Sequence, residues 1–108
     1  MFKIENGDIY HTRGDTAEFD VNITDDGVLV TDCEVLFTVK RFLNDKKYLF
    51  QKQVVDGHLR LEHSDTQQLP FGNHYYDISV KINDGTAEGY YTSFGPNRYC
   101  LLADVTTE

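Results

Sequence analysis

The chain has 108 residues, of which 18 are acidic and 10 basic, for a formal charge of −8; 40% are hydrophobic and 13% aromatic. That is one domain, residues 1–108, with enough apolar material for a core burying roughly 65% of its unfolded surface. The negative excess repels phosphate backbones, and Arg41 is separated from Lys46-Lys47 by Asn44 and Asp45, so no basic cluster favours a nucleic-acid partner.

Met1-Phe2-Lys3-Ile4-Glu5-Asn6 lacks the basic start and apolar run of a signal peptide, and no run of 18 apolar residues occurs. The expectation is a chain made in the cytosol that crosses no membrane. Turn signals recur every eight to twelve residues, the rhythm of a β-sandwich or barrel. Asn6-Gly7-Asp8 and Arg13-Gly14-Asp15 punctuate the start. Thr16 to Ile23 alternates, with Phe19, Val21 and Ile23 inward and Asp20 and Asn22 outward, until Asp25-Asp26-Gly27 turns the chain. A third strand runs from Cys33 to about Arg41 with Val35, Phe37 and Val39 on its apolar face. Asn44-Asp45 predicts a hairpin turn into Lys47 to Val55, and Asp56-Gly57 predicts a tight turn with both residues at φ > 0, leading into Leu59 and Leu61.

Ser64 to Leu69 holds one helical turn, and Pro70-Phe71-Gly72 forms a corner. In the strand that follows, Tyr76, Ile78, Val80 and Ile82 face one way, and Tyr75, Asp77, Ser79 and Lys81 the other. Leu69, Gly72 and Tyr76 are the predicted corner residues, with the Tyr76 hydroxyl tying the corner down as a tyrosine does in immunoglobulin-like sandwiches. Asn83-Asp84-Gly85 turns, Gly89 to Phe94 is a strand, Gly95-Pro96-Asn97 breaks the chain, and Tyr99, Leu101, Ala103 and Val105 close the fold. The fold class is all-β: an immunoglobulin-like antiparallel β-sandwich of seven or eight strands. It lacks a tryptophan, and its two cysteines, Cys33 and Cys100, fall on the third and last strands. Free buried thiols are expected over a bridge.

Catalytic and metal chemistry finds little purchase. His63-Ser64-Asp65 has the letters of a hydrolase triad, but neighbours on an extended chain diverge. His11, His58, His63 and His74 are scattered, without the spacing of zinc ligands. Asp25, Asp26 and Asp32 read as turn formers before they read as a calcium loop. Arg13-Gly14-Asp15 spells an integrin-binding tripeptide, and is better explained as the turn launching the next strand. No catalytic residue, cofactor or metal is expected. Tyr90, Tyr91, Phe94 and Tyr99 form the densest aromatic patch; strand alternation leaves about half of it outward, a candidate protein interface or sugar-stacking surface.

Four segments in order carry a family resemblance: Arg13-Gly14-Asp15-Thr16 before Phe19-Asp20-Val21; Val35-Leu36-Phe37-Thr38-Val39-Lys40; Asp65-Thr66 through Leu69-Pro70-Phe71-Gly72 to Tyr76-Asp77-Ile78; and Leu101-Leu102-Ala103-Asp104-Val105-Thr106. Together they resemble the immunoglobulin-like N-terminal domain of phage baseplate upper proteins and related small phage tail proteins. The resemblance implies a non-enzymatic virion component, made in the host cytoplasm, that docks onto other tail proteins and forms a homo-oligomer. The alternative is a carbohydrate- or host-surface-binding sandwich. Where the family often has a tyrosine this chain has His74, which leaves Tyr76 to serve the corner. The chain carries no stalk or receptor domain after Glu108, as expected of a standalone component or of part of a longer protein.

Overall fold

A computed structural model describes residues 1–30, 32–82 and 91–103. Among them the chain forms ten strands and one helical turn: β1 (Phe2–Glu5), β2 (Asp8–Thr12), β3 (Ala17–Asp20), β4 (Thr24–Asp25), β5 (Val28–Leu29), β6 (Cys33–Lys40), β7 (Phe50–Val54), β8 (His58–Leu61), α1 (His63–Thr66), β9 (Gly72–Ile82) and β10 (Tyr91–Leu102). A six-stranded sheet has the order β1-β2-β10-β9-β6-β7, and β3-β8 and β4-β5 make two small sheets. The architecture is thus mostly β, as expected, but the large sheet is mixed: β2 runs parallel to β10, with Ile9 opposite Tyr99 and Thr12 opposite Leu102. An all-antiparallel arrangement fails at that one ladder, where the chain's first hairpin is added beside its last strand.

Among the described residues three asparagine- or aspartate-glycine pairs make tight turns; Asn83-Asp84-Gly85 lies outside them. Asn6 and Gly7 (φ 53° and 84°), Asp26 and Gly27 (49° and 80°), and Asp56 and Gly57 (52° and 74°) all adopt the left-handed region, the requirement of a hairpin turn whose twist matches its strands. The Asp56-Gly57 turn, though, closes only a bridge between Val55 and His58. Beyond it the chain changes layer, β7 staying in the large sheet while β8 pairs with β3.

The core lies between the inner face of the large sheet and the β3-β8 ribbon. In β6, Val35, Phe37 and Val39 are buried, and in β9, Tyr76, Ile78 and Val80; Ala17, Leu59 and Leu61 meet them from the ribbon. Phe37, completely buried, is the hub: its ring lies 5.8 Å from Phe19, 5.3 Å from Tyr76 and 6.2 Å from both Phe50 and Tyr99. These are tilted and edge-on distances at which aromatic quadrupoles attract. The outward face of β6 and β9, with Thr38, Lys40, Tyr75, Asp77, Ser79 and Lys81, is half-buried and polar, as one wet face of a sheet demands.

Two sequence expectations are corrected here. Gly95-Pro96-Asn97 does not end a strand; β10 continues through it as a bulge, with register shifts between Thr92 and Asn97 against β9. The reason is Gly95: at φ +95° a Cβ there would lie 2.8 Å from the Tyr76 carbonyl oxygen and 3.1 Å from the Asp77 Cα, so its absence lets the kinked strand stay on its partner. The second correction concerns the β6–β7 connection. It spans residues 41–49, nine residues between strands ending at Lys40 and starting at Phe50, rather than a turn at Asn44-Asp45 alone.

Candidate functional site

His74, the residue that departs from the resembled family, ties the corner. Its Nε2–H donates to the Pro70 carbonyl at 2.7 Å, a side chain bonding backbone four residues upstream. With that proton placed, Nδ1 is the acceptor facing the Arg41 guanidinium at 3.5 Å. Leu69 packs against the core, and Gly72 takes φ +102°. The Tyr76 hydroxyl, expected at this corner, instead donates to the Gly7 carbonyl, fastening β9 to the β1–β2 turn. Tyr76 and His74 both point inward, two residues apart on the same face of β9; the Tyr76 hydroxyl passes the corner and reaches the β1–β2 turn. Burial pushes the Tyr76 phenol up to about 12.

Of the predicted aromatic patch, Tyr90 lies outside the described residues, and Tyr91 places its backbone opposite Val80. Phe94 is 45% exposed, with its ring 6.2 Å from Tyr76. Tyr99 is not available to any partner: it is completely buried. On the long β10 it shares an inward face with Leu101, and its hydroxyl meets His11 Nδ1 at 2.5 Å. His11 Nε2 lies 2.8 Å from the Asp15 carbonyl. A carbonyl only accepts, so Nε2 carries the proton and Nδ1 accepts from the Tyr99 hydroxyl. Burial holds the His11 imidazole below its ordinary value of 6.5 and raises the Tyr99 phenol well above its own.

The residues with catalytic or adhesive letters are likewise occupied in holding the fold. His63 Nδ1–H donates to the Gly14 carbonyl at 2.7 Å, and the Gly14 N–H donates to the fully buried Thr66 hydroxyl at 2.8 Å. Asp65 pairs with Lys52 at 2.7 Å and accepts from the Glu62 N–H that starts α1. Arg13 stacks over Phe71 at 3.9 Å, and Asp15 pairs with the N-terminal amine. The Arg-Gly-Asp turn is therefore clamped to the corner and does not project. His58 is exposed and bridges Asp20 and Glu18 across β3 and β8. Among the described residues no group of three metal-ligating side chains converges, and no helix is long and apolar enough to cross a membrane. Cys33 and Cys100 are free. They stand opposite Ile82 and Asn73, nine residues apart on β9, a span of ~30 Å at 3.4 Å per residue, far beyond disulfide reach.

Among the described residues the 41–49 loop presents a run of outward apolar side chains. Phe42 (59%), Leu43 (53%), Tyr48 (53%) and Leu49 (37%) are large apolar residues in solvent, interleaved with exposed Lys46 and Lys47. The loop has a defined shape. Phe42 N–H donates to the Asp45 carboxylate and Asp45 N–H to the Phe42 carbonyl, both at 3.1 Å. Lys40 Nζ donates to the Asp45 carbonyl at 2.9 Å, and Leu49 N–H closes the base on Val39 at 2.7 Å. Arg41 reaches the Asn73 carbonyl at 3.1 Å, anchoring the loop to the corner. Sequence reasoning missed this surface because Asn44-Asp45 read as a two-residue turn, which drew Tyr48 and Leu49 into a strand. The available signal was four bulky apolar residues in an eight-residue stretch with no period of two.

No protein-family model matches the chain, and no curated protein and no solved structure matches it either.

Proposed function

We propose that this chain is a non-enzymatic docking and assembly module with an immunoglobulin-like sandwich fold, of the kind built into phage tails and baseplates. The observation that carries the reading is the 41–49 loop: a pre-shaped, exposed apolar surface with lysines among its aromatic and leucine side chains. Apolar residues held in place before binding lose little conformational freedom on association, and exposed clusters of this kind mark interaction sites. The layer order supports the fold assignment, with β3-β8 facing a sheet of β2-β10-β9-β6-β7 and a side chain pinning the corner before β9. The ordered resemblance of four segments supports the phage setting.

The alternative of a sugar-binding surface keeps only Phe94 among its aromatics with described side chains, Tyr99 being core; the docking reading is preferred. The test is to express the chain from its native locus, induce particle production and fractionate particles on a density gradient. The chain is expected to co-migrate with tail structures, and a Phe42→Asp, Leu43→Asp variant with unchanged melting temperature to be lost from them. A wild-type chain absent from every particle fraction overturns the reading.

A further inference from the structure

The charge of this protein is polarised. Residues 40–49 hold Lys40, Arg41, Lys46 and Lys47 against Asp45 alone, a local +3, which leaves −11 for the rest of a chain whose total is −8. The basic, aromatic loop sits at one end of the β6–β7 hairpin, beyond the pairing of Val39 with Phe50. At the other end, beyond the pairing of Val35 with Val54, the two strands open onto a groove of about 420 Å³. Loop and groove are roughly 20 Å apart along β6 at 3.4 Å per residue.

The groove is mixed in character: aliphatic Ile23, Leu29 and Val55 share its lining with polar Asn22, Gln53 and Asp56. Val28 (68%), Leu29 (54%) and Val55 (62%) leave much of their surface in solvent. Exposed Asp26 caps the hairpin that supplies Leu29, and exposed Asp32 immediately precedes β6. One end of the molecule thus presents aromatic and leucine side chains with lysines, and the other a recess of mixed aliphatic and polar lining with aspartates.

We propose that the occupant of this groove is the 41–49 loop of a second copy of the chain, docked head to tail. The groove has room for the Phe42 and Leu43 side chains, and the charges on the two surfaces are opposite in sign, which steers encounter and fixes orientation. Since the two patches are different surfaces of one molecule, the contact is heterologous. Repetition in one sense gives a ring or a filament rather than a closed pair. This inference rests on the docking reading above and names the partner.

Sedimentation velocity of the purified chain from about 5 to about 500 μM, the range of weak interfaces, reads it directly. The wild type is expected to form species larger than a dimer as concentration rises. Raising salt from about 50 to about 500 mM is expected to weaken them by screening. Two variants remove one surface each: Phe42→Asp with Leu43→Asp in the loop, and Leu29→Asp with Val55→Asp at the groove. All four positions are exposed, and unchanged circular dichroism and melting temperature confirm folding; a single Lys46→Glu, Lys47→Glu variant tests the charge component if either pair unfolds.

Each variant alone is expected to be monomeric. An equimolar mixture is expected to give a one-to-one dimer and nothing larger, because one intact loop then meets one intact groove. A wild type monomeric throughout, or a loop variant that still associates, overturns the proposal. Association that survives in the groove variant alone means a loop-to-loop dimer and also overturns it. A monomeric wild type that co-sediments with phosphatidylserine vesicles through its loop overturns it in favour of a membrane surface. If the chain is monomeric yet enters tail particles in a loop-dependent way, the docking reading stands and only this inference falls.

Discussion

Replacing Tyr99 with phenylalanine removes one oxygen atom from the centre of the protein and leaves every ring contact in place. That oxygen donates to His11 Nδ1, and both residues are completely buried. The imidazole cannot turn to use another donor, because its Nε2–H is committed to the Asp15 carbonyl at 2.8 Å. The variant therefore strands a buried acceptor, a loss of about 1–3 kcal/mol. With an unfolding entropy of about 2.1 cal/mol/K per residue, a 2 kcal/mol loss lowers the melting temperature of 108 residues by about 9 °C. Urea unfolding at pH 8, where the imidazole is neutral, measures the free energy. A double-mutant cycle with His11→Leu isolates the pair, for which a coupling of at least about 1 kcal/mol is expected. A Tyr99→Phe protein within about 0.5 kcal/mol of the parent, the usual spread of inconsequential substitutions, refutes the assignment of proton and donor at this site.

Acid should weaken the fold through its buried histidines. Burial holds His11 and His74 below their ordinary 6.5, so below that pH the unfolded chain binds more protons and stability falls, by up to about 1.4 kcal/mol per pH unit for each histidine. Exposed His58, raised by Asp20 and Glu18, acts in the opposite sense and is removed by His58→Gln; urea midpoints between pH 7.5 and 5.5 check the sign. Gly95→Ala places a Cβ against the β9 backbone and is expected to cost at least about 2 kcal/mol. Gly27→Ala, also at positive φ but with nothing within 4 Å of its Cβ, should cost only about 1. Intact mass of unreduced protein should match two free thiols, since Cys33 and Cys100 stand at opposite ends of β9; a two-dalton deficit contradicts the register.

Where the signal was local, the sequence was legible. The alternation of Tyr76, Ile78 and Val80 against Tyr75, Asp77 and Ser79 named both faces of β9, and Asp56-Gly57 named its own dihedral angles. The helical turn near Ser64 followed from polar residues between a strand and a proline. Pairing between distant strands was not legible, because a period of two says which side chains point inward and nothing about which strand lies alongside. Hence the parallel β2–β10 ladder went unforeseen. Gly95-Pro96 looked like a stop because the use of glycine, letting a neighbouring backbone approach, depends on a strand nearly twenty residues away. Tyr99 was assigned to the aromatic patch for want of any sign that His11 would meet its hydroxyl, and His74 was passed over because a corner was expected to need a phenol. For Gly95 and Tyr99 the partner lay across the fold, whereas His74 bonds the Pro70 carbonyl only four residues back along the chain.

The parallel ladder between β2 and β10 governs how this protein responds to mechanical load. Traction applied through the chain on either side of β1 and β10 begins beside Phe2 and Leu102, which lie at the same end, opposite His11 and Thr12. β1 would peel away one rung at a time, an easy unzipping. Once it is gone, the pull reaches β2 from its far end, and the rungs from Ile9–Tyr99 to Thr12–Leu102 are strained together in shear. Load along this path would meet a compliant stage first and a stiff one after it.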